Sequence, residues 1–548
     1  MPEPFEIQDN SRKLAIDAFL GGMNTSVDQT EIADNEAVLI ENFEYDDSNN
    51  LVTRNGVSNG GSAASTKITS IFSFSTDAGF IGNLFTRGTQ IRSRPLVLGT
   101  DTNLTGALTL PDGTRWYWKS LNNVAVGVNG STGAGNPIQV VGPAPGTASH
   151  LVAAPDGRYI EEHDSRLWIV HASNPNRIQC SDLGSAVNWN TGGFTNPAQG
   201  VTIDVYPGDK DQITGLYSWR ERLFIFKRKR IYVLRAVSIP NTDPNNWEVV
   251  EYSKEIGCIA ATTIRETLDD VVFLSEFGLA SLTAAEIAAD YTAAVISTKM
   301  KAVQDIAKNV GETDVFGYTL RDKGQYWLCV SSVFAPNGKN TTYVMDYSQA
   351  KAGIIRWTQN DKLGYATSIE RHNEPQNQVT YLLGCDDPNS TDFFFGTYKP
   401  KQLVKTFADD DLAIDQTILS KGYNFEVDDE RKSFLYWYLT LLMLSDLLSL
   451  NVKYIINEGE EEGNNPFGLT RDLGSGGLYG IGLYGTALYG DVPPPAIKRI
   501  IRKPIANKLK KFVTIQYEIK CNTINQGFTV NKFGMKAGKL STFKANNV

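Results

Sequence analysis

RLWIVHASNPNRIQCSDLG (Arg166–Gly184) reads as a strand, a turn and a strand, and RLFIFKRKRIYVLRAV (Arg222–Val237) says the same again in different residues. The phrase recurs. Apolar or aromatic runs begin at Arg166 (RLWIV), Arg222 (RLFIF), Val271 (VVFLS), Gln325 (QYWLCV) and Val379 (VTYLLG), with starts 56, 49, 54 and 54 residues apart. Each is followed by a turn and a second short run: NRIQCS, RIYVL, GLASL, TTYVMDY and DFFFGTY. Upstream, NNVAVGV (from Asn122) with PIQVV, and AGFIGNL (from Ala78) with RPLVLG, follow the same grammar. A strand–turn–strand period near fifty residues is the mark of a β-propeller, whose small sheets bury both faces only by stacking on one another around an axis. The runs are apolar throughout because a sheet covered on both sides needs no polar face. Five clear and one or two weaker repeats predict six or seven blades. The competing reading is a pair of β-sandwiches with fortuitous spacing.

At 548 residues the chain exceeds one hydrophobic core. Its 10% aromatic content and 48 glycines suit twisted sheets joined by tight turns, so the fold class is all-β. A Gly/Ser-rich stretch ending near Ser65 and the acidic run FADDDLAID (Phe407–Asp415) mark two boundaries. They divide the chain into an N-terminal arm (1–65), the propeller (66–407) and a C-terminal β-sandwich-like domain (408–548). The last contains the alternating strands LNVKYIIN and KKFVTIQYEIKC and a Gly/Tyr-rich loop over 474–490. Helix is scarce. EAVLIENF (Glu36–Phe43), with Asp34 as N-cap, predicts one short helix, and LTAAEIAADYTAAV (Leu282–Val295) another.

FLYWYLTLLMLSDLLSLNV (Phe434–Val452) is apolar enough to suggest a membrane span, but Asp446 falls in its second half; two buried strands, or a strand and a buried helix, are the better reading. The opening residues carry no basic stretch followed by an apolar run, so a signal peptide is not expected. Cys180, Cys258, Cys329, Cys385 and Cys521 are widely spaced and predict buried free thiols made in a reducing cytosol. The net charge is −9, yet residues from Ile497 onward carry ten Lys, two Arg and one Glu, leaving −20 on residues 1–496. Such asymmetry suggests self-assembly, or one surface meeting an acidic partner while another avoids it; a basic solvated terminal face is the plainer alternative.

Motifs for chemistry fail on inspection. Gly480, Gly482 and Gly485 spell GxGxxG, but the following triple proline (Pro493–Pro495) denies it the helix a dinucleotide site needs; the loop is better read as LYG repeats from Leu478, Leu483 and Leu488. His150, His163, His171 and His372 have no metal-ligand spacing, and neither a GxSxG elbow nor a phosphate-binding loop occurs. DDPNSTD (Asp386–Asp392) and YDDSNN (Tyr45–Asn50) read as Asx-type turns rather than calcium loops. SDLGSAVNW (Ser181–Trp189) loosely matches the structural Asp-box turn of sialidase propellers with altered spacing. FKRKRIYVL (Phe226–Leu234) could touch phosphate, but its place between two apolar runs makes it a solvated hairpin tip. No catalytic, cofactor-binding or metal-binding residues are expected, and no enzyme activity.

Taken together, several stretches resemble tail nozzle or hub proteins of short-tailed bacteriophages. The opening phrase supplies Gly21, Gly22, Met23, Asn24 and Thr25, then Asn35, Glu36 and Ala37, then Arg54, Asn55 and Gly56. The repeat supplies Arg166, Leu167, Trp168, Asn174, Pro175, Arg177, Ile178, Ser181, Asp182, Gly184 and Trp189. Ile256–Leu282 is similar too, and Asn522–Gly538 more weakly. The resemblance implies a structural component of the virion tail. It would be a homohexameric nozzle below the portal adaptor, holding tail fibres or spikes and letting genomic DNA pass at ejection, with no membrane span. An acidic lumen would repel phosphate and keep passage fast, while the basic C-terminal part, with Lys508, Lys510 and Lys511, would face a neighbour or the adaptor outside the channel. The alternatives are a receptor-binding or glycan-processing viral propeller and a cellular scaffolding propeller.

Overall fold

The computed structural model describes residues 11–16, 19–59, 65–77, 79, 81–95, 101–133, 135–142, 146–287, 294–331, 340–361, 369–373, 379–386, 393–399, 407–409, 412–424, 432–445, 447–456, 461–470, 497–504, 511–512 and 514–539. Half of the chain is strand and 8% helix, with many small antiparallel sheets. It divides into two units. Unit 1 is assembled from Met1–Gly56, Val344–Asp361 and Gln402–Val548, and unit 2 from Val57–Tyr343 and Lys362–Lys401. This differs from the three consecutive segments 1–65, 66–407 and 408–548: the N-terminal residues join the C-terminal unit because they supply strands to its sheets.

Unit 2 consists of sheets in chain order. The first holds Ile68–Ser75, Ile81–Arg87, Gln90–Pro95 and Thr102–Asn103; the second Tyr117–Leu121, Val124–Val128, Ile138–Val141 and Ser149–His150. The third holds Gly157–His163, Arg166–His171, Arg177–Cys180 and Thr202–Asp204; the fourth Ile213–Trp219, Arg222–Lys227, Ile231–Ala236 and Trp247–Ser253. The fifth has Arg265–Glu266, Val271–Ser275 and Gly278–Ser281, and the sixth begins with Val315–Leu320 and Gln325–Val330. The seventh has Ile369–Asn373, Val379–Asp386 and Phe393–Tyr398. Arg166, Arg222, Val271, Gln325 and Val379, where the sequence repeats begin, are each the first residue of the second strand of a sheet.

Alternation along these second strands explains their unbroken apolar character. In the third sheet Leu167 and Ile169 pack with Val126 and Val128 of the second. Trp168 and Val170, on the opposite face, pack with Leu223 and Ile225 of the fourth. In the fourth sheet Phe224 and Phe226 then pack with Val271 and Phe273 of the fifth. The first and second sheets share Leu84, Ile91, Trp118 and Ile138. The turn Ala261–Thr263 that leads into the fifth sheet is tied to the sixth: Thr262 Oγ1 donates to the Val315 carbonyl at 2.9 Å, and Tyr326 Oη donates to the Thr263 carbonyl at 2.8 Å. Sixth and seventh meet through Trp327 against Tyr398, with centroids 5.3 Å apart. Leu382 of the seventh packs with Ile68, Ile71 and Phe85 of the first. Ser58–Asn59, at the start of unit 2, pairs with the seventh sheet's last strand in the register Gly396↔Asn59 and Thr397↔Ser58.

In unit 1 two sheets share one core. One orders Ile497–Pro504, Lys432–Met443, Phe528–Lys539, Leu51–Thr53 and Phe43–Tyr45, with Ser11–Ile16 also paired to Phe528–Lys539. The other orders Arg356–Asp361, Glu36–Glu41, Gln416–Ser420, Ile515–Cys521, Leu447–Ile456 and Glu461–Thr470. Trp437, Leu439, Leu441, Val530 and Phe533 meet Leu450, Val452, Tyr454, Tyr517 and Ile519 in that core. The apolar window Phe434–Val452 is thus two strands of different sheets, as its composition suggested. Among the described residues no helix is long and apolar enough to cross a membrane.

Glu36–Phe43 is not a helix. Glu36–Glu41 is a strand flanked by Gln416–Ser420 (antiparallel) and Arg356–Asp361 (parallel), so tertiary pairing overrides a weak local preference. Leu282–Ile287 is helical as expected; 288–293 lie outside the described residues. A helix at Lys301–Asn309, burying Val303, Ile306 and Ala307, was not anticipated. The Gly/Tyr-rich loop 474–490, the glycines and prolines of the GxGxxG reading, the segment 387–392, and Lys508 and Lys510 also lie outside the described residues.

Candidate functional site

The first strands of successive sheets in unit 2 line a cavity of about 310 Å³. Its wall includes Ser70 and Phe72 from the first sheet, Arg115 to Lys119 from the second, Tyr159 and Glu161 from the third and Tyr217 from the fourth. Thr262 and Arg265, and Phe316 and Tyr318 from the sixth sheet, complete it. Chain meanders put each first strand next to the next one, so residues far apart in sequence converge here.

Polar groups in this wall are paired across sheets. Lys119 Nζ lies 2.5 Å from Glu161 Oε1. Burial pushes the Glu161 carboxyl up, and the Lys119 charge only partly pulls it back. Burial acts to lower Lys119, but the charge and hydrogen bond of Glu161 outweigh it, so the ammonium is held above its usual range. Tyr117 and Tyr159 both donate their hydroxyls to Glu312, Tyr159 at 2.8 Å to Oε2. Burial, then the Glu312 charge, pushes both phenols well above their ordinary range. These hydroxyls stay protonated at neutral pH and serve as donors, not nucleophiles. The Arg115 and Arg265 guanidinium carbons lie 5.3 and 5.4 Å from the Phe316 ring centroid. The arrangement is equipped to bind rather than to transfer protons: Glu161 is tied to an ammonium and Glu312 to two phenols.

The residues that caught attention in the sequence sit elsewhere, in structural roles. Lys227 of FKRKRIYVL is fully buried, not a solvated tip: its Nζ meets both Asp209 carboxylate oxygens at 2.8 Å and the Tyr206 carbonyl at 3.1 Å. Arg228 pairs with Glu276 and Arg230 with Glu251. Arg228 and Lys229 at the tip are exposed as expected, so the solvated reading fails only at Lys227. Arg166 is buried and donates to the carbonyls of Ser181 (2.7 Å), Gln199 (3.0 Å) and Pro197 (2.6 Å). Asp182 accepts from the Gly200 amide at 2.9 Å and from Asn190 Nδ2 at 2.6 Å, which makes SDLGSAVNW a structural turn as read. Asp46 accepts from the amides of Ser48 and Asn50 at 2.9 and 2.7 Å, the Asx-type turn expected of YDDSNN. His163 is buried with Nδ1 2.9 Å from Ser218 Oγ, and burial lowers its pKa. Cys180, Cys258, Cys329 and Cys521 are buried free thiols, all pushed up by burial.

The N-terminal phrases form a second cluster, in unit 1. Arg54, 1% exposed, forks onto Asp409 with contacts of 2.9 and 2.5 Å, and its Nε donates to Asn42 Oδ1 at 2.9 Å. Gly56 touches the Ala408 backbone so closely that a Cβ would come within 1.8 Å of its carbonyl oxygen. Gly22 has φ +76°, and a Cβ there would lie 2.7 Å from the Trp357 amide nitrogen. Asn24 Nδ2 donates to Glu36 Oε2 at 2.8 Å, which also accepts from the Ala33 amide at 3.0 Å.

Sequence reading missed Arg115, Lys119, Glu161, Arg265 and Glu312, which no local motif unites. The available signal was a charge at the centre of an apolar first strand, in WYWKSL and in RYIEEH.

No family model matches this chain, and no curated protein matches it. Among solved structures it is similar to a chain of the mitotic checkpoint complex, with 9% identity and a TM-score of 0.34, over 64% of this chain and 96% of that one. It is also similar to a chain of the BBS1N–ARL6DN complex, at 7% and 0.37 over 64% and 99%. A third is the subtype N10 neuraminidase-like protein of A/little yellow-shouldered bat/Guatemala/060/2010, at 9% and 0.29 over 63% and 97%. Likenesses this distant carry no weight for activity.

Proposed function

We propose that the chain is a structural component of a bacteriophage tail, a homohexameric nozzle below the portal adaptor that conducts DNA at ejection and anchors fibres or spikes. In this reading unit 2 is a seven-bladed β-propeller and unit 1 a β-sandwich. The observation that carries it is the role of the resembling residues: Gly22, Asn24, Glu36, Arg54, Gly56, Arg166 and Asp182 are all engaged in internal contacts that hold strands and turns. Residues that name a resemblance by holding a scaffold suit a scaffold's function. Contacts running from the first sheet through the seventh and back to the first support radial closure, and the pairing of Ser58–Asn59 with the seventh sheet supports a latch between the ends of unit 2. A closed array leaves few open strand edges, as a rigid wall element requires. The charge of −20 on residues 1–496 suits a conduit that must not hold DNA.

Electron microscopy of the purified protein, alone and with its portal-adaptor neighbour, tests the reading. Sixfold rings with an axial opening are expected. A protein that stays monomeric in both preparations rejects it.

A further inference from the structure

Lys119, Glu161 and Tyr217 stand on the first strands of the second, third and fourth sheets and line the unit 2 cavity together. Each keeps hydrogen-bonding capacity that the protein does not use. Glu161 is only 6% exposed. Its Oε1 faces Lys119 Nζ at 2.5 Å and accepts the Glu162 amide at 3.2 Å. Among the described residues its Oε2 has no hydrogen-bond partner, an unusual state for a carboxyl oxygen held this deep. An ammonium has three donors, and among the described residues Glu161 is the one partner of Lys119. Lys119 keeps 35% of its side chain exposed, so the pair is within reach of a solute. The Tyr217 oxygen accepts the Glu266 amide at 3.1 Å, while its own proton has no acceptor among the described residues. Tyr217 lies close enough to Glu161 and Lys119 for both charges to act on its phenol, and burial keeps it protonated. The wall thus offers donor, acceptor and donor from successive strands. A ligand cation would meet Lys119 and a ligand anion would meet Glu161, whereas a hydroxyl donates and accepts at once. Neighbouring hydroxyls of one molecule match the set: one gives its proton to Glu161 Oε2, and another accepts from Lys119 or Tyr217. Phe72, Tyr117 and Tyr318, each half-buried in the same wall, supply apolar surface for the carbon skeleton. The volume, about 310 Å³, is that of a small-ligand pocket.

We propose that this cavity is a binding site for a small neutral polyhydroxylated molecule, a single sugar or cyclic polyol, with Glu161 as acceptor and Lys119 and Tyr217 as donors. The site lies wholly within unit 2 and stands whether or not the chain belongs to a tail.

Saturation-transfer NMR and isothermal titration of the full chain test it, with glucose, galactose, mannose and myo-inositol as separate probes and cyclohexanol as the single-hydroxyl control. At least one of the four polyols is expected to bind in the millimolar range or tighter, with cyclohexanol at least about tenfold weaker, the scale of a lost charge-assisted hydrogen bond. Glu161→Gln should weaken that polyol by at least about tenfold for the same reason, and Tyr217→Phe by about threefold to tenfold. Circular dichroism of each variant establishes that it is folded. Where Glu161→Gln does not fold, Tyr217→Phe decides. Absence of binding by all four polyols, cyclohexanol binding as tightly as the best of them, or an affinity unchanged in the folded variants would overturn the proposal.

Discussion

The two units bury their apolar residues on different plans. Among the described residues, a core in unit 1 joins residues as distant in sequence as Ile16, Ile418 and Met535, whereas unit 2 has separate cores, each shared by two successive sheets. Unit 1 also places a charged pair, Arg54–Asp409, at almost no exposure, with strand ends arriving from three parts of the chain. The difference teaches where damage should spread. A defect in a single core is felt by every strand around it. A defect between two sheets is first felt by that pair, as in other arrays built of repeated units.

The largest effect is expected from Asp409→Ala. It removes the carboxylate that the buried Arg54 guanidinium forks onto, at a cost of about 3–5 kcal/mol, and urea denaturation should show the loss. A variant as stable as the parent would mean that Arg54 reaches water and that the buried network is not what holds unit 1. Next, Trp437→Ala in unit 1 and Trp168→Ala in unit 2 each remove a fully buried indole, for about 3–5 kcal/mol apiece. Hydrogen exchange separates them: Trp437→Ala should loosen strands across both sheets of unit 1, while Trp168→Ala should loosen chiefly the third and fourth sheets. Equal spread in the two variants would break the contrast.

A smaller effect is set by pH. Burial lowers the His163 pKa in the folded chain, so below about 6.5 the unfolded chain takes up a proton that the folded one resists. Stability should therefore fall as pH drops through and below that value, and His163→Gln should flatten the slope of the melting temperature over that range. A slope that steepens instead would assign His163 the opposite sign. The smallest effect is Arg177→Ala, which removes a solvent-exposed pair with Asp204; the denaturation midpoint should not move measurably.

Much of this architecture was legible. The second strand of each sheet from the third to the seventh is an apolar run because both of its faces are covered, and the run begins where the repeat begins. Leu447–Ile456 alternates exposed and buried positions as its sequence does, since one of its faces meets the core. Three things could not be read. The strand at Glu36–Glu41 is decided by partners near residues 359 and 418, which local preference does not sense. The cavity is decided by the meander: Lys119 and Glu161 are 42 residues apart and meet only because first strands adjoin. The discontinuity of unit 1 was hidden for the same reason, as nothing local ties Arg54 to Asp409.

The pairing of Ser58–Asn59 with Gly396 and Thr397 has a consequence for biosynthesis. As the nascent chain leaves the ribosome, the edge strand of the seventh sheet emerges before all the others and must wait unpaired for more than 300 residues of translation. Contacts this distant close slowly, and an open edge that waits is exposed to the same edge on a neighbouring polysome product. The seventh sheet is therefore completed last by what was made first, and crowding of unfinished chains is the hazard to which this protein's production should be most sensitive.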